Sequence, residues 1–159
     1  MRTLIKNGTV VTAIDTFAGD VLIEGDKIVA LTAPGALESG FTADRIIDAK
    51  GKLVMPGGID AHTHLDMPFG GTTSSDDFET GTLAAAYGGT TTLVDFAIQQ
   101  KGGSLRQAVD TWHEKAEGKT AIDYSFHTII TDVNKGTLEE MGGLVNEGIT
   151  SFKLFMAYP

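Results

Sequence analysis

The sequence predicts an α/β protein whose larger part is a parallel sheet with helical crossovers, preceded by a small all-β unit. Three observations carry this reading. Residues 1–52 alternate short apolar runs with tight-turn dipeptides, and residues 53–159 alternate strand-like with helix-like segments. The last two strand–helix units are each about 30 residues long, the length of a βαβ crossover. Four strands joined by three helices leave two architectures open: a doubly wound open sheet, or part of an eightfold barrel. Spacing alone does not separate them. The barrel makes the sharper statement, that reactive groups gather at the C-terminal ends of strands. His62 and His64 follow the first strand of the run, and Tyr158 follows the fourth.

Taken in order, Leu4-Ile5-Lys6, Asn7-Gly8 and Thr9-Val10-Val11 have the form of a hairpin, because Asn-Gly readily takes the positive φ angles of a two-residue turn. Val21-Leu22-Ile23 and Lys27-Ile28-Val29 flank a turn at Glu24-Gly25-Asp26, and Arg45-Ile46-Ile47 precedes another at Lys50-Gly51. These strands are too few to bury both faces of a sheet by themselves. Residues 53–60 read as one strand, followed by β-branched runs at 90–96, 122–130 and 150–155. In residues 104–117, Leu105, Ala108, Val109, Trp112 and Ala116 fall on one helical face behind a Ser104/Gln107 capping box. Thr137 and Glu140 repeat that box ahead of Leu138, Met141, Leu144 and Val145, with Gly148 as the expected stop. A helix over residues 76–87 is led by Asp76 and Asp77, which suit the positive end of its dipole. Gly88-Gly89 reads as a helix stop, since no phosphate-loop pattern accompanies it.

Composition narrows the function classes. Of 159 residues, 42% are apolar, enough for a real core. Twelve Lys and Arg stand against 21 Asp and Glu, a net charge of −9, which argues against nucleic acid or an anionic membrane surface as partner. Small molecules or proteins fit better. With no cysteine there is neither a disulfide framework nor a thiolate site, so any metal must be held by histidine, carboxylates or an unusual ligand. No apolar run approaches the roughly 20 residues of a membrane span, and MRTLIKNGTVV lacks the features of a signal peptide. A soluble, cytoplasmic protein is expected.

Two features carry chemistry. In GGIDAHTHLDMPFGG, residues 57–71, strand alternation puts His62 and His64 on one face while Thr63 looks away. A lone His-x-His is commonly no more than two polar residues at a strand end. Lys153, in Ser151-Phe152-Lys153-Leu154-Phe155-Met156, shares a face with Ser151 and Phe155 in a strand expected to be covered on both sides. Burial disfavours its ammonium, and a neutral amine can add carbon dioxide to become a carbamate, a carboxylate able to bridge two cations. A lysine head that snorkels to water is the plain alternative, and the paired histidines weigh against it. Asp60 shares the strand phase of His62 and could orient a ligand histidine from behind, and Asp95, closing the second strand, is in the same position; for both, a solvated strand-end aspartate is the favoured reading. His127 reads as a satisfied interior histidine and His113 as a surface one.

The stretch GGIDAHTHLDMPFGGTTSSDDFETGTLAAAYGGTTTLVDFA, with GITSFKLFMAYP, closely resembles the cyclic amidohydrolases, and among them the hydantoinase and dihydropyrimidinase group. The resemblance extends through GDVLIEGDKIVAL and GKLVMPGGIDAHTH, and so runs the whole length. It implies a (β/α)₈ barrel, begun by residues 53–159, and a small β-sandwich, begun by residues 1–52. It further implies two zinc ions per subunit, with His62 and His64 on the first metal and carboxylated Lys153 bridging both. Tyr158 would hydrogen-bond the oxyanion, and Met67, Phe69 and Phe155 would face the ring substituent of a cyclic amide or ureide substrate. For each of these three apolar residues, core packing is an equal alternative. A homotetramer or homodimer is implied as well.

Dihydroorotases typically carry an arginine shortly after the second histidine; here Leu65-Asp66-Met67 stand instead. The family's remaining metal-binding histidines and its catalytic aspartate fall after the fourth strand. The chain therefore reads as the N-terminal piece of a protein roughly three times longer, or as a truncated sequence, and not as a competent enzyme alone. Three rivals stand beside the hydantoinase reading: another cyclic amidohydrolase such as an allantoinase, a non-catalytic scaffold of the same superfamily, and a metal-free binding module.

Overall fold

In the computed structural model, which describes residues 1–37 and 41–157, the chain runs straight through Asn7-Gly8. Strand β1, Arg2–Val11, pairs antiparallel with β2, Thr16–Glu24, and its register shifts between Ile5 and Gly8. The positive φ of Asn7, 63°, is thus spent on a bulge and not on the expected hairpin turn. Two contacts explain the difference. The Asn7 N–H donates to the buried Asp20 carboxylate at 2.8 Å, and a Cβ on Gly8 would lie 2.5 Å from Val54 Cγ2. Glycine serves here as a surface for close approach. The reversal comes later, where the Thr12 N–H bonds the Asp15 carbonyl.

The other two expected turns are present. Gly25, with φ of 63°, links β2 to β3, Lys27–Thr32. Gly51, with φ of 73°, separates β4, Arg45–Asp48, from β5, Leu53–Val54, and both of these strands pair parallel with β1. Leu4, Val10, Val21, Leu22 and Ala49 are buried, whereas Ile28, Leu31 and Ile46 are exposed. One sheet cannot cover both of its own faces.

The chain divides into two units, Met1–Pro56 and Gly57–Pro159. Residues 53–60 do not form the single strand expected. Leu53–Val54 belongs to the first sheet, Pro56 has no N–H to continue a ladder, and β6, Gly58–Asp60, starts afresh in the second unit. A short hairpin follows, β7, Pro68–Phe69, with β8, Thr72–Thr73. Gly70 and Gly71 turn it with φ of 59° and 82°, a glycine pair whose significance the sequence pattern did not reveal.

The chain then alternates through α1, Phe78–Tyr87; β9, Thr90–Ile98; α2, Leu105–Ala116; β10, Asp123–Ile130; α3, Lys135–Asn146; and β11, Phe152–Leu154. The sheet order is β11-β10-β9-β6, with every pair parallel. Among the described strands there is no reversal of order, which a doubly wound sheet requires. All three helices pack on one face. Phe78 of α1, five residues of α2 and Leu144 of α3 share a core with Ala97, Phe126 and Ile130. Consecutive strands with their helices on one side make a curled half-barrel sheet.

The helix starts show how local signals were met. Asp77 caps α1 in a reciprocal box with Thr80. Ser104 caps α2 by accepting from the Gln107 N–H at 2.9 Å. At α3 the cap is Asn134 and not Thr137, and the helix starts two residues before the expected box. Glu140, the supposed partner in that box, instead accepts the N–H groups of Leu105 and Arg106 at 2.6 and 3.3 Å, capping the neighbouring helix. Helix packing outcompetes the local box, because free N–H groups at the start of α2 lie within reach. Gly148, with φ of 101°, ends α3 as expected.

Candidate active site

Strand β6 ends at Asp60, so His62 and His64 stand in the loop beyond its C-terminal end. Strand-like alternation nevertheless continues through that loop. The Thr63 hydroxyl donates to Asp95 Oδ2 at 2.8 Å, while the rings of His62 and His64 meet edge to face with centroids 5.1 Å apart. Both imidazoles lie against Phe96, at 4.6 and 4.9 Å. Lys153 reaches the same ring from β11, its Nζ 4.2 Å from the Phe96 centroid and 5.1 Å from that of Phe155. Phe96 is therefore a shared floor under two imidazoles and one ammonium.

His127 closes the cluster. Its ring packs on Phe96 at 4.7 Å, and both its nitrogens are engaged, Nδ1 with the Ser151 hydroxyl and Nε2 with the Ala61 carbonyl at 2.9 Å. A neutral imidazole donates from one nitrogen only, so Nε2–H to the carbonyl leaves Nδ1 to accept from the serine. His127 is satisfied as expected from sequence but only half-buried, and it links the loop just before His62 to Ser151, just before β11. His113, by contrast, is exposed.

Between the β7–β8 hairpin and β11 lies a cleft of about 610 Å³, lined by His64, Met67, Phe69, Ile98, Lys153 and Phe155 among others. That size suits a small molecule, and the lining is mostly apolar, with the His64 imidazole, the Lys153 amine and Thr131 as its polar residues. Met67, Phe69 and Phe155 thus stand on the cleft wall, and Phe69 is exposed to solvent. Tyr158 lies outside the described residues.

Burial holds the His64 imidazole below its ordinary pKa of 6.5, and the positive charge of Lys153 pushes in the same direction. Asp95 opposes them, and His62 adds to them. The ring is accordingly neutral near pH 7, the form that donates to a metal. Its Nδ1 is enclosed and has no hydrogen-bond partner, an arrangement that costs free energy unless another group takes the lone pair or the proton. Two adjacent imidazoles, one with an unmet nitrogen, could hold a cation here if the Lys153 side chain beside them supplied a third, acidic ligand. Among the described residues no group of three or more His, Cys, Asp or Glu stands ready to hold a metal without it.

Two expectations change. Lys153 is only half-buried, because β11 is the edge of the described sheet. Asp95 is not a solvated strand end. It is fully buried and accepts from Thr63 Oγ1, the Leu65 N–H, the Phe96 N–H and Trp112 Nε1 at 2.7 to 3.1 Å. A charged residue inside the β-branched run TTTLVDF was the available signal, and three of its four partners, Thr63, Leu65 and Trp112, are distant in sequence. Asp60 is exposed as expected and accepts the His62 N–H at 3.1 Å.

Comparison with known proteins gives this arrangement a lineage. The chain is 61% identical to a D-hydantoinase of Streptomyces coelicolor over 159 residues, 99% of this chain and 34% of that protein. It is 55% identical to a D-hydantoinase of Geobacillus stearothermophilus, covering 99% of this chain and 33% of that one. The crystal structure of dihydropyrimidinase from Brevibacillus agri NCHU1002 matches with a TM-score of 0.93 and 57% identity, over 99% of this chain and 34% of that chain. The chain thus spans about a third of the length of these relatives. No helix among the described residues is long and apolar enough to cross a membrane. Residues 45–129 match the model described as the amidohydrolase family, and the chain belongs to that family.

Proposed function

We propose that the whole protein hydrolyses the cyclic amide bond of hydantoins or dihydropyrimidines, opening the ring to an N-carbamoyl amino acid. Water adds across the C–N bond, its hydroxyl to the carbonyl carbon and a proton to the departing ring nitrogen. The observation that carries this reading is the meeting of His62, His64 and Lys153 over Phe96, with the enclosed nitrogen of His64 unpartnered. The high identity to proteins named D-hydantoinase supports the choice of substrate class.

His62 and His64 would hold one zinc ion, and Lys153, carboxylated, would bridge it to a second. Zinc bound there would lower the pKa of a water molecule toward neutrality and polarise the ring carbonyl. Carboxylation turns the Lys153 amine from a competing cation into an anion beside His62 and His64, which removes the repulsion that now opposes charge at this corner. Met67, Phe69 and Phe155 would receive the ring substituent in the apolar cleft and turn the scissile carbonyl toward the histidines. Tyr158 would donate a hydrogen bond to the developing oxyanion, a preorganised interaction worth about 3 to 4 kcal/mol. The remaining strands would close a (β/α)₈ barrel and complete a β-sandwich over the open face of the first sheet, in a cytoplasmic homotetramer or homodimer.

The test is Lys153→Ala in the whole protein, read by zinc content and by a hydantoin ring-opening assay. Metal and activity should fall together, and short carboxylic acids should partly restore both. Full activity in this variant would end the bridging role, and less than one metal per chain in the unmodified protein would favour a non-catalytic scaffold.

A further inference from the structure

Asp95 and Phe96 are neighbours on β9 that face opposite sides of the sheet, Phe96 under the histidines and Asp95 among the helices. Each carboxylate oxygen of Asp95 is doubly engaged. Oδ2 accepts from the Thr63 hydroxyl and the Leu65 N–H, both at 2.8 Å, and Oδ1 from the Phe96 N–H at 2.7 Å and Trp112 Nε1 at 3.1 Å. Thr63 and Leu65 are the two residues that flank His64. Trp112 is 2% exposed in the middle of α2, so the anchor reaches the rigid helical layer. One turn further on, Lys115 pairs with Asp66 at 3.5 Å and also donates to its carbonyl, holding the loop where Asp66 takes a φ of 47°.

From this geometry we infer that Asp95 is the positioning residue of the His62–His64 loop, clamping Thr63 and Leu65 against the helix side so that both imidazoles are presented to the opposite side. The inference rests on the proposed metal centre for its consequence and on hydrogen-bond geometry for its substance. Three of the four partners, the Leu65 and Phe96 N–H groups and the Trp112 Nε1–H, can only donate, and the Thr63 hydroxyl donates as placed. An asparagine can offer an oxygen to only one pair, and its amide nitrogen then opposes either the Phe96 N–H and Trp112 Nε1–H together or, where the Thr63 hydroxyl turns to accept, the Leu65 N–H alone. Buried groups of this kind also leave their partners unsatisfied when removed.

The test uses the whole protein with Asp95→Asn, and Thr63→Val as a milder second variant that deletes one bond and keeps the shape. Hydrogen exchange of the segment holding residues 61–66 is measured on metal-free protein, and cobalt(II) affinity and visible absorption are measured by titration. Asp95→Asn should speed exchange in that segment by about tenfold or more. Cobalt affinity should weaken by about 10- to 100-fold, with altered absorption bands, and Thr63→Val should move both in the same direction by less. A control, Leu105→Ala, should lower the melting temperature without touching cobalt affinity or spectrum. Unchanged exchange, or faster exchange with unchanged cobalt binding, overturns the positioning role. If the unmodified protein takes no cobalt while Asp95→Asn still speeds exchange, the metal centre fails and the loop clamp stands.

Discussion

Replacing Phe96 separates what the ring does as packed volume from what it does as an aromatic floor. Phe96 is 5% exposed, so nearly its whole side chain is removed from water. An aromatic side chain withdraws at least about 150 Å², worth about 4 kcal/mol at ~25 cal/mol per Å². Phe96→Ala forfeits most of this and leaves a cavity beneath three imidazoles, so a loss of about 3–5 kcal/mol is expected. Phe96→Leu restores most of the apolar volume and deletes the ring faces. What it loses is the contact with His62, His64 and His127, at 4.6 to 4.9 Å, and with the Lys153 ammonium at 4.2 Å. Such contacts are worth about 0.5–1.5 kcal/mol each for ring pairs and about 0.5–2 for a cation. They share one ring and do not add, so a net cost of about 1–2 kcal/mol is expected. Urea unfolding of the whole protein gives both values, and cobalt titration reports whether the imidazoles stay together. A Phe96→Leu variant as stable as the parent, with unchanged cobalt affinity, would refute the idea that this ring organises the site.

Two further outcomes are expected. Gly8→Ala should destabilise by about 1–3 kcal/mol, because the new methyl meets Val54 Cγ2 at 2.5 Å, and Val54→Ala should recover much of that loss in a double-mutant cycle; strictly additive losses would deny the contact. The Asp77 carboxyl lies below its ordinary pKa of 3.8, chiefly because the Thr80 N–H donates to it. Its contribution is therefore complete above pH 3.8 and is lost as the pH falls through the lowered value. Asp77→Ala should accordingly be less stable than the parent near neutral pH and converge with it in strong acid, and a gap that persists there would contradict the cap.

Much of the fold was legible because its signals are local and periodic. The apolar stripe of α2, the cap at Ser104, the acidic start of α1 and the stop at Gly148 each depend on residues within one or two turns. The misreadings share the opposite property. Asn7-Gly8 carries a true turn signal, yet the Asp20 carboxylate and the side chain of Val54 decide that it bulges. Glu140 fits a capping box, yet the start of α2 claims it. In each case a partner remote in sequence wins, because tertiary contacts are not bounded by chain separation.

The candidate site divides along the same line. That His62 and His64 point together and away from Thr63 follows from the alternating backbone, so the sequence by itself determined it, along with the run of strand–helix crossovers. That Lys153 reaches the same ring, that Asp95 is buried among four hydrogen-bond donors and not a solvated end, and that His127 joins the segments carrying His62 and Lys153 were decided only by tertiary structure. The physical reason is register. Pairing β6, β9, β10 and β11 side by side brings residues 62, 96, 127 and 153 to one end of the sheet, and pairing is fixed by packing of the whole layer, which no single stretch of chain encodes.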